Sequence, residues 1–109
     1  MKPSSESTLK LRIADKYYDL ILVPERSKDD GVNNSASCSQ WYQKIRISVN
    51  DRMADGIMGD LWHEVTEAIN NEYNLGLNHQ TITTIGSAIH QVLRDNPNIL
   101  LEITKKGEH

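Results

Sequence analysis

Phenylalanine is absent from the chain, so leucine, isoleucine, valine, tyrosine and two tryptophans must fill any core. Cysteine occurs once, at Cys38, which excludes an intrachain disulfide and a paired-cysteine metal motif, and fits a reducing compartment. No long hydrophobic run exists. The longest, Leu20 to Val23, is far too short to cross a bilayer. The N-terminal "MKPSSESTLK" has no apolar segment and does not read as a secretory signal. A cytoplasmic location without membrane contact is therefore the expectation. Basic charge is also in short supply. With a net charge of -3 and a pI near 5.7, the chain has no general attraction to nucleic acid or anionic lipid.

What is present suits one small domain. The 109 residues can bury one modest core. Residues 1–7 read as a polar tail, residues 8–104 as the domain and residues 105–109 as a frayed end. Leu9, Leu11 and Ile13 alternate with Lys10 and Arg12, the period of a half-buried strand. "ADK" offers a turn, "YYDLILV" (17–23) a second strand, and Pro24 a stop, so a hairpin is expected. Residues 25–35 are charged, rich in Asn and aperiodic, as in a surface loop. "ASCS" suits a short strand, "SQWYQ" a turn with exposed aromatics, and Lys44 to Val49 another strand.

Beyond Asn50 or Asp51, either of which suits an N-cap, apolar residues recur at helical steps from Met53 to Tyr73. Gly56 and Gly59 weaken the first turns, and Gly76 is a stop signal. Asn78 is a natural N-cap for a second helix with Ile82, Ile85, Ile89, Val92 and Leu93 as its apolar stripe, closed by "DNP" at 95–97. "NILLEIT" (98–104) reads as a final strand or an apolar tail folded back on the core. Strands followed by helices predict an α+β fold: a small antiparallel or mixed sheet of three or four strands, with a two-helix hairpin packed on one face.

The first helix carries His63-Glu64-x-x-Glu67. His63 and Glu67 are stacked one turn apart, about 6 Å along the axis, where both can reach one ion. Glu64 projects beside them, as a carboxylate must to take a proton from water at a metal. His79 opens the second helix, and Gly86 would let the two helix backbones approach closely. Two histidines with a glutamate form a zinc-competent set, and the second carboxylate also suits harder divalent ions such as Mn²⁺. The same residues also fit a surface pair on a wet helix face, and spacing leaves open whether His79 or His90 folds back to them. Asp60 and Asn71 share that side, and Glu72 reads as solvent-facing. Cys38 reads as a small packed residue rather than a nucleophile.

The ordered combination "KIRISVN" followed by "LWHEVTEAINNEYNLGLNHQTITTIGSAIHQVLRDNP" resembles a group of small phage and prophage proteins with a minimal zincin-like fold, similar to cut-down metallopeptidases that cleave phage repressors. In that group the helix reads Leu-Leu-His-Glu-x-x-His/Glu-Ala-(Ile/Leu). A Leu-x-Leu turn follows, and the second helix ends near Gln-Val-Leu-x-Asp-Asn. The resemblance covers about residues 8–98. It implies His63 as first metal ligand, Glu64 as general base and Glu67 at the second ligand position, with His79 the candidate third ligand. It implies zinc or another divalent cation, a peptide or host protein as substrate or partner, and a bacterial host cytoplasm as the setting. Glu67 departs from the peptidase pattern, which bears on proteolysis more than on metal binding. The rival expectation is a catalytically inactive binding module of the same fold that inhibits or recruits a host protein, with "QWYQ" and the 25–35 loop as its contact surface. So small a chain has little wall for a substrate cleft, so a partner or a homo-oligomer would complete it.

Overall fold

The computed structural model of the chain describes residues 7–24 and 35–107. Residues 1–6 of the expected tail, 25–34 of the expected loop and 108–109 lie outside the described residues. Four strands come first: β1 (Ser7–Ile13), β2 (Lys16–Val23), β3 (Ala36–Ser39) and β4 (Lys44–Ser48). Three helices follow: α1 (Ala54–Glu72), α2 (His79–Asp95) and α3 (Ile99–Gly107). The fold is α+β, with one mixed sheet in the order β1-β2-β4-β3. β1 and β2 form the antiparallel hairpin, in register from Ser7↔Leu22 to Ile13↔Lys16. Ala14 turns the chain with φ 58. β2 and β4 run parallel, and β3 returns antiparallel along β4.

Period-two alternation sends Ile13, Tyr18, Leu20, Ile45 and Ile47 to one face. There they meet Ala68 of α1, bordered by Ile57, Leu61, Val65 and Ile69. Tyr18 and Ile45 are fully buried. Burying an isoleucine of this kind stabilises the fold by roughly 1.5–3 kcal/mol. α1 is thus the helix that covers the sheet, packing on β1, β3 and β4, whereas α2 packs on α1.

Three local expectations are corrected. α1 begins at Ala54 and not after Asn50 or Asp51, because Asp51 takes a left-handed φ of 54 and turns the chain before the helix can start. Its N-cap residue is Met53, which has no side-chain cap. Arg52 beside it bridges the sheet and the helix, donating to the Ser48 carbonyl at 2.8 Å and pairing with Asp60 at 2.8 Å. Glu72, expected in solvent, has a side chain only 2% exposed. It accepts from Lys16 Nζ and from the Tyr18 hydroxyl, both at 2.6 Å, which ties the last turn of α1 to β2. Residues 98–104 form neither a strand nor a tail on the core. Asn98 lies in a turn and residues 99–104 lie in α3, which packs on no other described element and continues through residues 105–107, where fraying was expected.

Candidate metal centre

α1 presents its apolar side to the sheet, which leaves His63 and Glu67 half-buried on a neighbouring side. The route by which His79 returns to them is built at the helix–helix turn. Asn74 and Gly76 both take left-handed conformations, φ 57 and φ 67. Asn70 holds the turn from inside: its carbonyl accepts from Leu75 N at 3.0 Å and its side-chain Oδ1 from Leu77 N at 2.8 Å. Asn78 then caps α2, accepting from Thr81 N at 2.8 Å. His79 is therefore the first residue of a helix whose direction is fixed on both sides of the turn.

The helices approach closely along α1. A Cβ added to Gly86 would lie 2.9 Å from the His63 Cα, so only glycine fits where α2 crosses α1. At the other end of the pair, Gly59 faces the His90 ring, with an added Cβ 3.4 Å from its Nδ1. That is ordinary van der Waals distance, so the close approach that requires glycine is at Gly86 and not at Gly59.

The outcome is a three-residue cluster. One ligand atom each from His63, Glu67 and His79 lie within 4.8 Å of one another. The two imidazoles meet edge to face, with centroids 5.3 Å apart and planes at 60°. Bonds of about 2.0–2.1 Å around a tetrahedral zinc ion place donors about 3.3 Å apart, so modest side-chain rotation closes the set. His79 is exposed, which leaves the cluster open to solvent. The donor set therefore fits a divalent cation.

Glu64, one residue along from His63, has its carboxyl pushed up to about 7. Burial is the main cause, followed by the negative charges of Glu67 and Asp60. A carboxyl poised near neutrality can accept and return a proton. Cys38 on β3 has its thiol pushed up to about 12, by burial first and then by Glu64, Glu67 and Glu72. It remains a protonated thiol at neutral pH, as expected of a packed residue.

Not every residue singled out joins the cluster. His90 lies outside it, with Nε2 3.1 Å from Asp55 Oδ1. Asp60 is engaged with Arg52, and the Asn71 carbonyl accepts from Gln40 Nε2 at 3.3 Å. An apolar cleft of about 380 Å³ between β1 and α1, lined by Leu11, Leu61 and Trp62 among others, holds none of the three ligand candidates. Sequence reasoning missed Asn70, whose side chain sets the turn. The signal was an asparagine shortly before two left-handed residues, which is turn chemistry rather than helix interior. No helix among the described residues is long and apolar enough to cross a membrane. No protein-family model, curated protein or solved structure matches the chain.

Proposed function

We propose that the chain is a zincin-like, metal-binding domain of phage origin that acts as a minimal hydrolase on peptides. The observation that carries this reading is the convergence of His63, Glu67 and His79, whose donor atoms lie within 4.8 Å of one another. His63 and Glu67 supply donors from one turn of α1, and His79 supplies the third from the start of α2. Two imidazoles and a carboxylate are a donor set that catalytic zinc accepts, with a position left for water or substrate. A bound zinc ion supplies Lewis acidity toward a carbonyl and makes water a better nucleophile at neutral pH. Glu64 takes the proton released by the attacking water and delivers it to the departing amine. Glu67 in place of a histidine leaves less positive charge on the ion, which favours slow turnover and tolerance of Mn²⁺.

A second reading is favoured by a different observation. Trp41 is 87% exposed and Tyr42 is also exposed, at the turn between β3 and β4. Aromatic side chains of this kind anchor protein interfaces. In this reading the domain binds a host protein through that turn, and any metal is structural.

Elemental analysis and peptide turnover separate the two. Wild-type protein should carry one equivalent of a divalent metal, and His63→Ala should lose it. Glu64→Gln should keep the metal and lose turnover across a broad peptide library. A metal-bearing protein whose Glu64→Gln variant matches wild type across that library favours the binding module. A fully folded chain that takes up no metal removes the hydrolase reading.

A further inference from the structure

α2 carries two apolar stripes. Ile82, Gly86 and Leu93 form the first, and Ile82 and Gly86 are buried. Ile85, Ala88, Ile89 and Val92 form the second, at i, i+3, i+4 and i+7. By helical geometry it lies about 100° round the helix from the first. Ile85, Ala88 and Val92 are exposed. Around them runs a shallow groove of about 280 Å³ whose lining is Ala88, Ile89, Val92 and Leu93.

α3 presents the complementary surface. Ile99, Leu100 and Ile103 lie on one side of it, with Lys106 at its edge, and Leu101, Glu102 and Lys105 lie on the others. Leu100 is 69% exposed and Ile103 61%. The helix packs on no other described element. At nine residues it is shorter than the ~12–15 that make an isolated helix even marginal in water, so its formation calls for burial of the apolar side. We propose that the outward faces of α2 and α3 form a homodimer interface, in which α3 of each copy seats on the second stripe of α2 in the other.

Two arguments select a second copy over a foreign partner. First, among the described residues one chain holds both an apolar helix that packs on no other element and an apolar groove that no element covers. A single two-fold axis satisfies both at once, which is the condition for an isologous interface. Second, the areas agree. Ile85, Val92, Ile99, Leu100 and Ile103 are between 37% and 69% exposed. At roughly 150–200 Å² for a whole aliphatic residue, they leave roughly 400–500 Å² of apolar surface on each copy. A standard interface covers about 800 Å² per partner, of which about 65% is apolar in homodimers, again roughly 500 Å². The proposal is independent of the metal reading, since none of these residues touches the His63 cluster.

Sedimentation velocity of the full chain, from low micromolar to near-millimolar concentration, tests it. The expected result is a dimer whose dissociation constant rises at least about tenfold in both Val92→Glu and Leu100→Asp. Circular dichroism melts should show both variants still folded. Leu100 lies on the helix that supports nothing else in the chain, so its variant keeps the test valid if Val92→Glu unfolds. A wild-type monomer across the whole range overturns the proposal, whether α3 folds back on its own α2 or awaits a different protein. A dimer unaffected by either substitution overturns it as well.

Discussion

Glu64 occupies a position where its charge is costly. Burial and two neighbouring carboxylates favour its neutral form in the metal-free chain. Its folded pKa lies above the ordinary value, so its contribution to stability is complete below about 4.5 and is lost as pH rises through about 7. Metal-free Glu64→Gln should therefore be more stable than wild type at pH 8, by about 1–2 kcal/mol once the side chain's partial exposure is discounted. The two proteins should converge near pH 4, and urea unfolding at both pH values measures the difference. Equal stability at pH 8 would mean that the carboxylate is solvated and unsuited to the role of base. Of the residue-scale features, the His63–Glu67 pair was legible because the helical period alone stacks residues four apart. Glu72 was not. Its place on the helix says polar, but its fate depends on Lys16 and Tyr18, whose side chains reach it only when the sheet is packed against α1.

At the scale of elements, the centre depends on how closely α2 crosses α1. Gly86 permits that approach at His63 itself. Gly86→Ala forces a Cβ to within 2.9 Å of the His63 backbone, and backbone cannot rotate away as a side chain can. The expected cost is about 1–3 kcal/mol in a chemical melt, accompanied by weaker metal binding because His63 and His79 are pushed apart. A variant with wild-type stability and affinity would show that the helices are not in contact there. Both helices of the hairpin were readable from apolar periodicity, and the second from its Asn78 cap and Pro97 stop as well. The return of His79 was not, because it is decided by two left-handed residues and the Asn70 side chain rather than by any spacing. α3 was misread for a related reason. A short run such as "ILLEI" satisfies a strand as readily as a helix until a neighbour selects one, and here no described neighbour touches it.

At the scale of the molecule, among the described elements α1 is what joins the sheet to α2, and α3 packs on neither. The radius of gyration is 15.4 Å, against about 13 Å for a compact domain of this size. The Lys16–Glu72–Tyr18 cluster ties the sheet to the last turn of α1, and its titration bears on stability at both ends of the pH range. Hydrogen bonds from Lys16 and then Tyr18 hold the Glu72 carboxyl below its ordinary range. Its contribution is therefore present above about pH 4.5 and is lost as pH falls through the lowered folded value. Lys16 is shifted upward by Glu72, so its share is kept below about 10.5 and is lost in stronger alkali. Thermal melts of wild type should show an acid limb below pH 4.5 that is flattened in Glu72→Gln, while the slope between about 4.5 and 7, which belongs to Glu64, survives. An acid limb identical in the two proteins would place the acid-sensitive contact elsewhere. The overall α+β layout was legible from the order of patterned segments. The parallel pairing of β2 with β4 was not, because strand order across a sheet is a long-range property that alternation within each strand does not encode.

Cobalt titration of the metal-free protein, followed by visible absorption, addresses the centre itself. With His63, Glu67 and His79 as ligands, wild type should develop the intense d–d bands of a four- or five-coordinate ion and saturate at one equivalent. His79→Ala should bind at least about 100-fold more weakly, since it removes one of three protein donors. An absence of such bands in folded wild-type protein, or a His79→Ala curve that overlays the wild-type one, would contradict the account.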